Sequence, residues 1–368
     1  MELPRLKIGY VEFLPAYVKE KERYTHILLT GKSGTGKSSL LANWWQQDCF
    51  YKVAKVLIEP SGFLTKDCYS ISRGQARYCS LDNPISINPM AIDYHPNQIC
   101  DNIAEALNQV IVMTTPNDRL TVKMRGILDE AIKYCLANNR KSLVNVRDYI
   151  ENMKGSIETR DGIIQRLNFL INDERIRPIL CGNNAIEWGK LIANHETFIL
   201  DCFGMGRDKM IFLGNLVSQG IKNYFRYERP KEYQPLALYI DECQNFVNTN
   251  FYDILKEGRK YKLGCILSTQ DFASIDDKMA RVMLNVGTLI AFQVGHREAE
   301  LLGKEIHCPP ELLQFLEKYH LAFKSGNERG ITKAPRPPIF RKFEPEKKAE
   351  PQREVKPIWF PLQSYKEI

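Results

Sequence analysis

The chain has 368 residues, 26% of them charged and 44% hydrophobic, with 51 Lys and Arg against 44 Asp and Glu and a formal net charge of +7. Such proportions belong to a folded protein with room for one large core and an insertion, or for two modest domains; they exclude wholesale disorder and a membrane bundle. The basic excess suits a nucleic acid or an anionic surface but selects neither.

From the N-terminus, the stretch Met1–Lys7 lacks the apolar run of a signal peptide, and no later window approaches the roughly 20 apolar residues that span a bilayer. The expectation is a cytoplasmic chain with no membrane insertion. Ten cysteines run from Cys49 to Cys308 with no C-x-x-C pair, many inside apolar runs such as those around Cys202 and Cys265. They are predicted to be buried free thiols, and no Cys/His ligand spacing is present.

The first β-branched run, His26–Thr30, leads into Gly31-Lys32-Ser33-Gly34-Thr35-Gly36-Lys37-Ser38-Ser39. Every fixed position of the G-x-x-x-x-G-K-[ST] phosphate loop is satisfied, and a helical run follows. Glycines let successive backbone N–H groups turn inward around a phosphate, and the helix N-terminus adds partial positive charge. Lys37 is assigned to the β- and γ-phosphate oxygens of ATP and Ser38 to Mg²⁺.

A second strand is predicted over Lys55–Glu59, and Arg73 and Arg77 are placed in the loop after it. Between 96 and 196 apolar residues recur at helical spacing, as in Ile99, Ile103, Leu107 and Val110, which predicts an all-helical insertion. Strand-like runs resume at Thr197–Asp201, Leu236–Asp241, Gly264–Thr269 and Thr288–Val294. Alternation of this kind predicts an α/β fold with a mainly parallel sheet and the ligand site beyond the carboxyl ends of its strands. The ATPase core is thus divided into 1–95 and 197–333 around the insertion. The Pro-, Lys- and Glu-rich segment 334–368 reads as an extended arm whose aromatic residues dock on a neighbouring surface.

The run ending in Asp241 and Glu242 pairs a Mg²⁺ ligand with a candidate general base, the order expected where water must be aligned for in-line attack. Gln270, at the end of the next strand, is a candidate sensor of the γ-phosphate or holder of the attacking water. Arg259, on the intervening helical stretch, is a candidate arginine finger. Candidates for DNA contact are Arg73, Arg77, Arg207 and Lys209.

With these pieces in order, the chain resembles the FtsK and HerA superfamily of ring translocases, which includes conjugative coupling ATPases and viral DNA-packaging ATPases. The resemblance covers most of residues 25–330. It rests on Ile58–Gly62, Ile87–Pro89, Asp241–Phe246, Glu257–Tyr261, Ser268–Gln270, Asn285–Phe292 and Glu298–Leu302 in addition to the phosphate loop. It implies a RecA-like P-loop NTPase core, a homo-hexameric ring, ATP and Mg²⁺ held between neighbours, Arg259 acting in trans and Gln270 as a sensor. It further implies translocation of double-stranded DNA through the central channel, with a nuclease, relaxase, portal or secretion channel as protein partner. Two other readings stay open: a secretion-system ATPase acting on protein, and a nucleotide-dependent scaffold or switch with little turnover. The chain departs from the family in three ways. Only thirty residues precede Gly31, where HerA-like proteins carry a β-barrel; the N-terminal membrane helices of common coupling proteins are not seen; and Glu59 stands where the family has aspartate.

Overall fold

Strands apolar on both sides must be covered on both sides, and the β-branched runs build such a sheet in the computed structural model of the chain. The structure describes residues 2–11, 14–115, 118–154, 157–246 and 249–345. The chain opens on an antiparallel pair, β1 (Leu6–Val11) and β2 (Leu14–Val18), separate from the main sheet, and a short helix α1 (Glu20–Arg23). Strands and helices then alternate as β3 (Ile27–Thr30), α2 (Lys37–Asp48), β4 (Ala54–Glu59), α3 (Phe63–Ile71) and β5 (Arg77–Cys79). Next come α4 (Pro96–Thr114), α5 (Val122–Ala137), α6 (Leu143–Asn152), α7 (Ile157–Ile171), α8 (Arg177–Cys181) and α9 (Trp188–Ala193), with no strand among the described residues between them. Alternation resumes with β6 (Thr197–Asp201), α10 (Arg207–Asn223), β7 (Leu236–Ile240), α11 (Thr249–Glu257), β8 (Leu263–Thr269), α12 (Asp277–Leu284) and β9 (Thr288–Ala291). The described chain closes on α13 (His296–Ile306), α14 (Pro310–Gln314) and the hairpin β10 (His320–Ser325) and β11 (Glu328–Lys333).

The nine-stranded sheet has the order β11-β10-β9-β3-β8-β7-β4-β6-β5. Every pairing from β9 across to β5 is parallel, and only β10 and β11 run antiparallel. The phosphate-loop strand β3 lies inside, between β8 and β9. Leu29, Leu57 and Tyr239 face Leu40, Leu41 and Trp45 of α2 on one side. On the other, Leu28, Val56 and Leu238 face Phe212, Leu213 and Val217 of α10. Leu107, Leu128, Ile132 and Leu167 of the helical block belong to that second core, so the block packs as a continuation of the sheet face and has no separate core.

The last turn of α2 is fixed by a buried charge network. Asp48, which ends α2, takes both Arg23 guanidinium nitrogens at 2.7 Å and the Tyr239 hydroxyl of β7 at 2.6 Å. Arg23 also donates to the Pro4 carbonyl at 2.8 Å. Removing either partner of such a pair would leave an uncompensated buried charge, so it ties the N-terminal segment to the helix that follows the phosphate loop.

His26, immediately before β3 and in the left-handed region with φ 69°, is buried and accepts at Nδ1 from the Cys265 N–H at 3.0 Å. Its Nε2 therefore carries the proton and donates to the Leu255 carbonyl at 3.0 Å. Burial pushes its pKa down to about 4. Between about pH 6.5 and 4 the unfolded chain takes up a proton that the folded chain refuses. Stability from this group is therefore complete above about pH 6.5 and falls by about 3 kcal/mol as the pH drops to about 4. Denaturant unfolding across that range should show the parent losing stability about one proton more steeply than His26→Gln; equal slopes would contradict the neutral assignment.

The ten cysteines are all free; nine are buried and Cys181 is half-buried. Among the described residues no helix is long and apolar enough to cross a membrane. The beginning of the arm, expected to dock through its aromatic residues, packs on the core of its own chain. The Ser70 hydroxyl exchanges hydrogen bonds with the Phe343 backbone at 3.0 and 3.1 Å, and Phe340 and Phe343 pack on the core beneath α2 and α3. Residues 346–368, including Ile358–Phe360, lie outside the described residues.

Candidate active site

Parallel strands bring their carboxyl ends to one edge, and the chemistry predicted for β3, β7 and β8 collects there. Gly34 and Gly36 both have positive φ, 76° and 123°. At Gly36 a Cβ would also stand 2.8 Å from the Tyr319 ring and 3.2 Å from that of Phe292. Only glycine therefore lets the loop turn its N–H groups toward a phosphate there. Thr35 Oγ1 donates to the Lys32 carbonyl at 2.8 Å, and the Lys32 N–H donates to the Gln293 carbonyl at 2.8 Å, which moors the loop to the end of β9. Lys37 begins α2 and folds back over the loop, its ammonium donating to the carbonyls of Gly31 at 2.5 Å and Lys32 at 3.1 Å. Burial lowers its pKa, and the carboxylates of Glu242, Asp241 and Glu298 oppose that shift.

Ser33, Gly34, Gly36, Lys37, Ser38, Ser39 and Gln270 line a cleft of about 210 Å³ together with Lys318 and Tyr319. Ser38 is exposed at the start of α2, and Asp241 is buried just past β7, its N–H donating to the Ile58 carbonyl at 3.1 Å. Burial raises the Asp241 carboxyl, Glu242 adds to the rise, and Ser268 and Lys37 pull it back. A hydroxyl and a carboxylate are the hard oxygen donors Mg²⁺ takes, and it needs few of them because it keeps several waters. Among the described residues there is no cluster of three or more His, Cys, Asp or Glu that could hold a metal ion. Thr30 Oγ1, just before the loop, is buried without a hydrogen-bond partner. The residues present therefore fit a magnesium nucleotide.

Glu242 is held with unusual care. Its backbone sits in the left-handed region with φ 48°, a conformation costing on the order of 1–3 kcal/mol for a side chain of this kind. One carboxylate oxygen accepts from Gln270 Nε2 and the other from Gln244 Nε2 at 2.7 Å. Gln244 is itself fixed by the Thr269 hydroxyl at 2.7 Å. Two amides thus orient a carboxylate at the mouth of the phosphate cleft, as a group that takes a proton from water requires. Gln270 was predicted beside the γ-phosphate; it lines the same cleft and touches the candidate base directly.

Arg259 lies at the opposite edge. α11 ends at Glu257, and Gly258–Tyr261 form a tight 3₁₀ turn with Arg259 and Lys260 exposed ahead of β8. The seven residues of β8, at about 3.3 Å each, put roughly 20 Å between that turn and the phosphate-loop edge. Arg259 cannot serve the nucleotide site of its own chain.

The candidates for DNA contact separate. Arg77 is not in a loop: it is the first residue of β5, a strand too short to read by pattern, and its Nε is paired with Glu196 at 2.7 Å. Arg73 precedes it past the end of α3, so both lie at the amino-terminal edge, away from the phosphate loop. Lys209 is committed to Asp173 at 2.8 Å. Arg207, exposed at the first position of α10, lies at the carboxyl edge. Glu59, the departure from the family motif, accepts from the N–H groups of Ser61 at 2.6 Å and Gly62 at 2.7 Å and so shapes the turn into α3.

Sequence reasoning missed Gln244, Lys318 and Tyr319. Gln244 lies two residues past the Asp241–Glu242 pair, where an amide-bearing neighbour is the available signal; Lys318 and Tyr319 give none, because β10 alone brings them to the loop.

Searches with family models and among curated proteins return no match to this sequence. Among solved structures, the unbound monoclinic form of the bacterial conjugative coupling protein TrwBdeltaN70 superposes with a TM-score of 0.73 at 14% identity, over 92% of this chain and 90% of that one. The two chains share one fold. The plasmid coupling protein TrwB in complex with ADP and Mg²⁺ gives 0.70 at 16% identity, covering 92% of this chain and 91% of that one. VirB4 of Thermoanaerobacter pseudethanolicus gives 0.69 at 14% identity, covering 90% and 96%. Coverage of nine-tenths or more of each chain means that the shared fold extends well beyond the strands around the phosphate loop.

Proposed function

We propose that this chain is a Mg²⁺-dependent ATPase that assembles as a homo-hexameric ring and uses hydrolysis to translocate double-stranded DNA. The observation that carries the reading is the meeting of the phosphate loop, Asp241, Glu242 and Gln270 at one sheet edge, with Arg259 at the other. The shared fold with a plasmid coupling protein that binds ADP and Mg²⁺ supports it.

In this reading the loop N–H groups and Lys37 bind the β- and γ-phosphates, and Ser38 and Asp241 hold the metal. Bound Mg²⁺ supplies charge neutralisation across the phosphates. Glu242, oriented by Gln244 and Gln270, takes the proton of the attacking water at a carboxylate oxygen. Gln270 touches both the cleft and that carboxylate, so a change in the phosphates reaches the base through one amide. Arg259 serves the neighbouring subunit's site, and Arg207 contributes a phosphate contact indifferent to base sequence.

ATP turnover measured with double-stranded DNA, single-stranded DNA and no polymer, at rising salt and with particle symmetry imaged in parallel, tests the reading. Stimulation by double-stranded DNA that fades with salt, on six-fold particles, is expected, because phosphate contacts release counterions. Turnover that no DNA alters points instead to a protein substrate; no turnover under any condition leaves a nucleotide-dependent scaffold.

A further inference from the structure

The wall of the phosphate cleft holds two cations, Lys37 and Lys318, and only Lys37 is buried. The Lys37 ammonium is already engaged by two loop carbonyls. A polyanionic substrate gains from a second lysine beside Lys37, and the cleft wall supplies one. Lys318 is exposed on its wall, its ammonium 5.1 Å from the centre of the adjacent Tyr319 ring, and no ion pair to it is present among the described residues.

Tyr319 is positioned more tightly than a linker residue requires. It adopts φ 66°, a rare and costly conformation for a bulky side chain. Its N–H donates to the Thr35 carbonyl of the phosphate loop at 2.8 Å, and its carbonyl accepts from the Ala334 N–H at 2.8 Å. Its ring lies so close over Gly36 that a Cβ there would be 2.8 Å away. The backbone is thus pinned to the loop while the half-buried ring lines the cleft beside Ser38 and Ser39.

We propose that Lys318 and Tyr319 complete the nucleotide site, Tyr319 as the aromatic platform for the purine and Lys318 as the second cation on the phosphates. This rests on the ATPase reading above. Stacking on an aromatic face and a charge-assisted contact each correspond to about a tenfold change in affinity at such a partly exposed position.

Calorimetric titration of the full chain with Mg²⁺ and the imido analogue of ATP, and separately with Mg²⁺ and inorganic tripolyphosphate, distinguishes the two roles. Lys318→Ala is expected to weaken both ligands about tenfold. Tyr319→Ala should weaken the nucleotide about tenfold and leave tripolyphosphate within about twofold, with Tyr319→Phe binding as the parent does. If Tyr319→Ala fails to fold, Tyr319→Leu replaces it, since leucine keeps bulk but offers no π-face. Parent-like binding of both ligands by Lys318→Ala overturns the cation assignment. Equal loss of both ligands in Tyr319→Ala, or loss of neither, overturns the platform. A parent chain that binds neither ligand, or a Lys37→Ala chain that binds both undiminished, would instead refute the ATPase reading itself.

Discussion

Glu242→Gln is expected to bind Mg-ATP as the parent does while hydrolysing it about 10²–10⁴-fold more slowly, the range that general-base catalysis contributes. The substitution keeps size and shape, and the flanking amides of Gln244 and Gln270 can rotate to meet a neutral partner. What disappears is the ability to accept a proton from water. Phosphate release and calorimetric binding, measured on the same preparation, separate the two effects. Turnover at the parental rate would show that another group activates the water, and lost binding would show that the carboxylate is needed to hold the cleft together.

Removing the guanidinium at the other edge should be nearly as damaging. Arg259→Ala is expected to lower ATP turnover about a thousandfold or more, with little change in nucleotide affinity of the isolated subunit, because a charge inserted across an interface acts on the transition state. A mixing experiment makes the prediction strict. Lys37→Ala subunits lack a working loop but keep Arg259, and Arg259→Ala subunits have the converse defect. Each is expected to be inactive alone, and mixed rings should regain turnover at interfaces where an intact loop meets an intact arginine. No recovery in rings shown to contain both subunits would contradict the trans role.

The parts of this site legible in the sequence are those where chemistry imposes residue types at short spacing. Gly31 to Ser38 and the Asp241–Glu242 pair announce themselves because backbone N–H groups, a lysine and two carboxylates need fixed neighbours. The buried strands β3, β4, β6, β7 and β8 were legible for a related reason: sheets covered on both faces yield unbroken apolar runs. By contrast β5 has three residues, and β11 is an edge strand with mostly exposed side chains, so neither left a hydrophobic signature. Arg77 was misplaced for that reason. Lys318 and Tyr319 stayed hidden because only tertiary pairing, β10 onto β9 and β9 onto β3, carries them nearly 300 residues along the chain to the loop they adjoin.

The interior position of β3 also governs when a newly made subunit can first act. Its flanking strands β8 and β9 arrive more than 230 residues later, and the loop's moorings at Gln293 and Tyr319 later still. Contacts so distant along the chain form slowly and only after most of the polypeptide has left the ribosome. A half-synthesised chain accordingly displays the phosphate-loop sequence without the strands and moorings that would shape it into a cradle.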